Sequence, residues 1–490
     1  MTRIRSFALI TVIALAIAAT ALPGFAATGS ANFKTVVAIG DSYGAGYESN
    51  SLNEHHSVYS WPAIVAKQLG IPLCTVGSSA TDNCFAQPIV SYPGLGAELT
   101  LMDISTYPPV IVNAPGLGTP LNTTFGRAFN NVSIPGANVA DTLNVTGTDK
   151  PVTRGVQSLA QFILRGPVSE VDAVTSLKPT FILVWIGGND FLGSATSGTT
   201  AALTPLATFT TAYGQMLDKL VATGAGIVVG TLPTNPIAVP FFKTVPTVLI
   251  NPATRTPVLG PTGQPITLVG QTDVSPFVGQ LQAGSLLTLS AGSLIAQGFG
   301  IPSALKPLLD PTNKLPLFGT PLPDSVVLTP AEQTTLVGRI ADYNTAITAA
   351  ASARNIPVAD IKGLFDRFAT GLNVGPFHLT SDFITGGIFS LDGVHLSDIG
   401  YTLFANEYIK AINSGYSTHV PLASVAQFMQ NNDPATKMAS GASAYPGIMY
   451  TLSDEASKSL MQMFAISAPA SARRRRARCP STRTSSRCSR

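Results

Sequence analysis

Four separated stretches carry residue types that could act together on a carbonyl group. Ser42 follows the apolar run Thr35 to Ile39, inside Gly40-Asp41-Ser42-Tyr43-Gly44-Ala45-Gly46. A serine at a strand-to-helix junction is exposed at the carboxyl edge of a sheet, and a backbone N–H there can face an anion. Asp392 and His395 lie three residues apart, so carboxylate and imidazole can meet within one turn. Asp392 can accept from one ring nitrogen and leave the other to take the Ser42 proton. Asn189 follows Gly187-Gly188, where its amide can donate to a developing oxyanion and the glycines admit substrate close to the backbone. Gly136, after Pro135, offers an unhindered backbone N–H. The chemistry these residues permit is acyl transfer through a covalent serine intermediate. Each stretch also has a bland reading: an N-capping serine, a capping aspartate beside a surface histidine, and two ordinary turns.

These residues must be held at the ends of strands. Thr35 to Ile39, Phe181 to Ile186, Ile227 to Val229 and Pro357 to Ile361 are short apolar runs suited to buried parallel strands. Trp61 to Leu69, Phe209 to Thr223 and Pro330 to Ala351 have helical patterns. The last starts with Thr329 as N-cap, Pro330 at the first helical position and Glu332 completing a capping box. Alternating strands and helices predict an α/β fold with a parallel sheet, whose ligands bind beyond the strands' carboxyl ends. Ser42 and Asn189 fall at such ends.

Two insertions interrupt this pattern, at 75–130 and 233–324, both rich in Pro. Within the second, Val274 to Leu305 contains no charged residue. Its glutamines, glycines, serines and Pro302 favour a cap or lid over a membrane span. The expected organisation is a signal peptide at 1–26, a hydrolase domain at 32–420, an extension at 421–470 and a tail at 471–490. Arg3 and Arg5 precede the uncharged stretch Phe7 to Leu22, and small residues follow at the cleavage positions, with cutting expected after Ala26. The apolar stretch is short for a membrane span of about 20 residues. The expected location is therefore secreted or periplasmic, with no stable span after leader removal.

Charged residues make up 11% of the chain and apolar residues 45%. This is a folded, loop-rich protein with a weakly charged surface, not a disordered one. The net charge of +3 misleads, because residues 471–490 hold eight arginines and no acid. Without that tail and the leader, 19 basic residues face 26 acidic ones, so nothing supports nucleic-acid binding by a basic face. The tail lacks periodicity and is expected to be disordered. Of four cysteines, Cys74 and Cys84 lie close together in a polar loop, where export would permit a disulfide; Cys479 and Cys488 lie in the tail.

The order of the blocks adds more than any one of them. Gly40-Asp41-Ser42, Pro135-Gly136-Ala137, Gly187-Gly188-Asn189-Asp190 and Asp392-Gly393-Val394-His395 resemble the four characteristic blocks of the SGNH (GDSL-like) hydrolases. That family's signature residues map onto Ser42, Gly136, Asn189 and His395. Tyr59-Ser60-Trp61-Pro62, Gln87-Pro88, Tyr92-Pro93-Gly94 and Tyr343-Asn344 resemble its secreted lipase-like branch, and the likeness runs from Val36 to Asn413. The resemblance implies a flavodoxin-like, three-layer α/β/α sandwich around a parallel sheet of about five strands, carrying long loop or cap insertions. It also implies hydrolysis of small or lipid-like carboxylic esters with no metal or cofactor. Ser42 would attack, His395 would be base and then acid, and Asp392 would orient it. The N–H groups of Ser42 and Gly136 would join the Asn189 amide in an oxyanion hole. Tyr43 stands where the family name has Leu; as a flanking position it is expected to matter little.

Two rivals remain on sequence grounds. A metal-dependent phosphoesterase would use Asp41, Asn189, Asp190 and His395 as ligands. No Asp-x-His precedes Gly40, no His directly follows Asn189, and His55, His56, His378 and His419 lack matching acidic partners in a recognisable motif. A secreted binding module on an inactive hydrolase fold is the other rival, against which all four catalytic positions are filled.

Overall fold

Four of the apolar runs become one sheet. A computed structural model describes residues 27–426, apart from 106–108, 150–155, 236–237, 252–253, 272–280 and 376. The leader, most of the C-terminal extension and the arginine-rich tail lie outside the described residues. Strands β1 (Val36–Gly40), β2 (Phe181–Trp185), β3 (Gly226–Gly230) and β4 (Val358–Ala359) are all parallel and neighbour one another in that order. Every residue of the first three strands is buried. With helices on both faces, such strands show no apolar–polar alternation, which is why they read as unbroken apolar runs.

About five strands are implied by the family likeness, whereas the described residues form four in this sheet. The fifth place is nevertheless filled. Residues 130–134 run beside the free edge of β1: Ala38 N donates to Asn130 O, Val132 N to Ala38 O and Ile134 N to Gly40 O. Only Ala38 and Asn131 form a regular parallel bridge, and Pro135 ends the segment, so it stays short of a strand. The chain thus runs to one side of β1 with this segment and to the other side with β2. That reversal is a topological switch point, where α/β sheets open a crevice.

The helices used below are α1 (Ser42–Ala45), α2 (Trp61–Gln68), α3 (Glu170–Ser176), α4 (Asn189–Thr196), α5 (Leu206–Val221), α6 (Pro330–Ser352), α7 (Ile361–Thr370) and α8 (Asp398–Tyr416). One layer joins α2, α7 and α8; the other joins α3, α5 and α6. Trp61 of α2 stacks on Tyr408 of α8 with ring centres 4.1 Å apart, and Phe209 of α5 stacks on Tyr343 of α6 at the same distance. The capping box of α6 forms as expected: Thr329 N donates to Glu332 Oε2 at 2.9 Å, and Glu332 N donates back to the Thr329 hydroxyl.

Both insertions are structured. The first is closed near its start by a Cys74–Cys84 disulfide, and it carries an antiparallel pair, Leu99–Asp103 with Val110–Asn113. The second builds a satellite core of its own from Leu249, Leu268, Leu287, Ile301 and Leu322. It is tied to the domain where Phe241 N donates to Gly393 O at 2.9 Å. No helix among the described residues is long and apolar enough to cross a membrane.

Candidate active site

The end of β1 places the first residue. Asp41 N-caps α1, its Oδ1 accepting from Tyr43 N at 3.0 Å, and this turn sets Ser42 at the helix start. The loop before α8 brings the partners. His395 Nε2 lies 2.8 Å from Ser42 Oγ, and His395 Nδ1 lies 2.8 Å from Asp392 Oδ2. Asp392 is itself held from three further sides. Its Oδ1 accepts from Val394 N and His395 N, and its Oδ2 also accepts from Asn50 N. Burial would raise the Asp392 carboxyl, but the facing imidazole and these donors outweigh burial and hold it well below the usual carboxylate range. An ionised Asp392 keeps the ring proton on Nδ1 and leaves Nε2 as acceptor for the Ser42 hydroxyl.

Hydrogen-bond donors without a backbone partner meet at the switch point. Segment 130–134, bonded to β1, delivers Gly136, whose φ of +86° is a left-handed conformation that glycine adopts without strain. Among the described residues, the backbone N–H groups of Ser42 and Gly136 donate to no protein acceptor. Asn189 opens α4 just beyond Gly187, whose φ is +118°. Its Nδ2 gives one hydrogen to Ala137 O at 2.9 Å, which fixes the amide and leaves its second hydrogen for substrate. All five residues expected from sequence are therefore drawn to one sheet edge.

Tyr43 does more than flank Ser42: its hydroxyl donates to Val394 O at 2.7 Å, and its ring centre sits 5.6 Å from that of His395. Tyr47 packs on the other side, with ring centres 4.9 Å from His395. Neighbouring Asp41 is fully buried, and burial, with the Asp190 charge adding to it, pushes its carboxyl up to about 8 despite the Tyr43 N–H.

An apolar recess opens beside the Tyr43–Val394 contact. Tyr43, Gly188, Phe191, Leu192, Val239, Phe242, Leu336, Ile340 and Val394 are among its walls. Its lining comes from the sheet edge, from α4 and α6, and from the start of the second insertion.

The ligand set imagined for a metallophosphoesterase does not assemble. Both ring nitrogens of His395 face Ser42 and Asp392, and Asn189 Nδ2 is bonded to Ala137. Asp190 Oδ2 accepts from Val139 N. His56, which has no acidic partner in a recognisable sequence motif, has them in space: Glu48, Glu98 and Asp398 surround it. No local motif could reveal them, since Glu98 is 42 and Asp398 342 residues away in sequence.

A serine, a histidine and an aspartate hydrogen-bonded in series at the carboxyl edge of an α/β sheet form the arrangement that nucleophilic attack on a carbonyl requires. The family model for GDSL-like lipase/acylhydrolase matches residues 36–408, and the chain belongs to that family of carboxylic ester hydrolases. No curated protein matches the chain by sequence. Among solved structures it is similar to LAE5, an α/β hydrolase from the metagenome of Lake Arreo, Spain, at 12% identity and a TM-score of 0.32, covering 81% of this chain and 99% of that one. It is also similar to a mutant of the acetyl-xylooligosaccharide esterase Axe2 of Geobacillus stearothermophilus, at 12% identity and a TM-score of 0.32, over 79% and 95% of the two chains. The extracellular lipase of Streptomyces rimosus gives 13% identity and a TM-score of 0.30, over 78% and 98%.

Proposed function

We propose that this protein is an exported esterase or lipase that works through an acyl-enzyme on Ser42. The observation that carries the reading is the unbroken series Asp392 Oδ2, His395 Nδ1, His395 Nε2 and Ser42 Oγ, with both contacts at 2.8 Å. Ser42 Oγ attacks the ester carbonyl while its proton passes to His395 Nε2. Asp392 stabilises the resulting imidazolium. The negative oxygen takes hydrogen bonds from Ser42 N, Gly136 N and Asn189 Nδ2. The ester C–O bond then breaks, and His395 returns the proton to the departing alcohol. Water repeats the sequence on the acyl-enzyme, releasing the acid and restoring Ser42.

The recess bounded by Phe191, Leu192, Leu336 and Ile340 is the natural seat for the acyl chain, because it is apolar and is also lined by Tyr43, Gly188 and Val394, the chain neighbours of Ser42, Asn189 and His395. The second insertion supplies Val239 and Phe242 to the same recess and acts as its cap. Export is supported by the sequence of residues 1–26 and by the Cys74–Cys84 disulfide, a bond that persists in oxidising compartments.

The test is hydrolysis of a short p-nitrophenyl ester by the full chain and by Ser42→Ala and His395→Ala, together with mass analysis after an organophosphonate probe. Both variants should be inactive, and the probe should label Ser42. Unchanged activity in Ser42→Ala overturns the proposal. Absence of both labelling and turnover in the parent chain points instead to an inactive binding module.

A further inference from the structure

Behind the nucleophile lies a second group of chemically capable residues that ester hydrolysis does not use. Glu48 sits on the loop after α1, His56 in the short helix Glu54–Ser57, Glu98 in the first insertion and Asp398 at the start of α8. Their exposures are 8%, 5%, 5% and 9%. Three carboxyl groups thus share a nearly sealed space with one imidazole. No lysine or arginine among the described residues forms an ion pair with any of them. Nearby Lys67 instead donates to Val58 O and lies over the Tyr59 ring. An uncompensated group of buried carboxyls is costly unless it is paired or coordinates a cation.

The geometry around His56 points to a cation. Its Nδ1 lies 3.2 Å from Asp398 Oδ1 and 3.4 Å from Glu48 Oε2. A tetrahedron with metal–ligand bonds of about 2.1 Å has edges of about 3.4 Å, so these two spacings match those of ligands around one small ion. Ligand atoms of Glu48, His56 and Asp398 all fall within 4.8 Å of one another. Apart from that 3.4 Å approach to His56, Glu48 Oε2 is buried with no hydrogen-bond partner among the described residues. The opposite face of the ring completes the picture: Nε2 lies 3.4 Å from Glu98 Oε1, and Glu98 Oε2 is held by Asn53 Nδ2 at 2.8 Å. A metal-bound histidine characteristically donates its other N–H to a carboxylate, which fixes tautomer and ring orientation.

We propose that Glu48, His56 Nδ1 and Asp398 bind one zinc-type divalent ion, with Glu98 orienting His56 from behind. The imidazole selects a zinc-type ion over calcium or magnesium, which prefer all-oxygen shells. The two carboxylates balance the ion's charge. His56 binds as the neutral ring, its remaining proton on Nε2 toward Glu98. Because the site is sealed, the ion enters as the chain folds. Its role is structural. It clamps the loop bearing Asn50, whose N–H holds Asp392, to the start of α8, three residues beyond His395. None of its ligands hydrogen-bonds Ser42 or His395.

The test uses the full chain, purified without a polyhistidine tag or chelator. Elemental analysis should find about one zinc per chain. Protein unfolded in denaturant with chelator and refolded without metal should melt lower than protein refolded with equimolar zinc chloride, and magnesium or calcium chloride should not substitute. Glu48→Gln keeps the side-chain shape and should weaken zinc binding at least about tenfold; Glu98→Gln should weaken it roughly 10–100-fold. A parent chain that, unfolded and refolded with micromolar zinc, takes up none and melts identically to chain refolded without it overturns the proposal. So does full zinc retention in Glu48→Gln, which would place the ion elsewhere. Neither readout depends on esterase activity.

Discussion

Tyr43 donates its phenolic hydroxyl to the carbonyl of Val394 across 2.7 Å, joining the residue after the nucleophile to the residue before the base. The bond spans 351 residues of sequence and fixes the turn that carries Ser42 against the loop that carries His395. Replacing Tyr43 with Phe removes the donor and leaves the Val394 carbonyl unpaired, at a cost of about 1–3 kcal/mol. Tyr43→Phe should lower the urea midpoint accordingly and reduce kcat several-fold as the Ser42–His395 contact loosens. An unchanged midpoint and kcat would show that the bond holds nothing in place.

Asn189 is anchored through Ala137, and its second amide hydrogen is the one proposed to meet the oxyanion. Asn189→Ala should lower kcat roughly 10²–10³-fold, the usual size for one oxyanion donor, with little change in KM. A rise in KM alone would mean that the amide binds substrate without favouring the transition state.

Asp41 should give stability an unusual pH slope. Its ordinary value is 3.8, and burial pushes it up to about 8 in the folded chain. Between those values the folded protein keeps a proton that the unfolded chain has released, so stability falls as pH rises from about 4 to 8 and levels off above. Asp392 works in the opposite sense: held low, it contributes stability above its ordinary 3.8 that is lost as pH falls. Asp41→Asn keeps an acceptor for Tyr43 N and should flatten the curve between pH 5 and 8. Urea unfolding at stepped pH measures this, and a slope identical to that of the parent would sink the assignment.

Leu192 lines the apolar recess from α4 and is only partly buried, so a larger side chain can enter the recess there. Leu192→Trp should spare acetyl esters and penalise longer ones. Excluding about four methylenes, at about 0.8 kcal/mol each, should cut the hexanoate-to-acetate ratio of kcat/KM roughly a hundredfold. An unaltered ratio across graded p-nitrophenyl esters would place the acyl chain elsewhere.

Much of this protein was decided locally. Strands β1 to β3 were legible because buried parallel strands run apolar without alternation, and α6 because its capping box is written in Thr329, Pro330 and Glu332. The five site residues were legible from their order and their chemical type. Only the tertiary structure decided what holds them. The N–H of Asn50 on Asp392 and the free N–H of Gly136 are backbone groups, which leave no trace in side-chain identity. The substitute for a fifth strand depends on how residues 130–134 meet β1. The Tyr43–Val394 bond and the enclosure of His56 by Glu48, Glu98 and Asp398 join residues from opposite ends of the chain. Sequence records which donors and acceptors exist. Which of them meet, and which are sealed from water, is set when the layers close over the sheet.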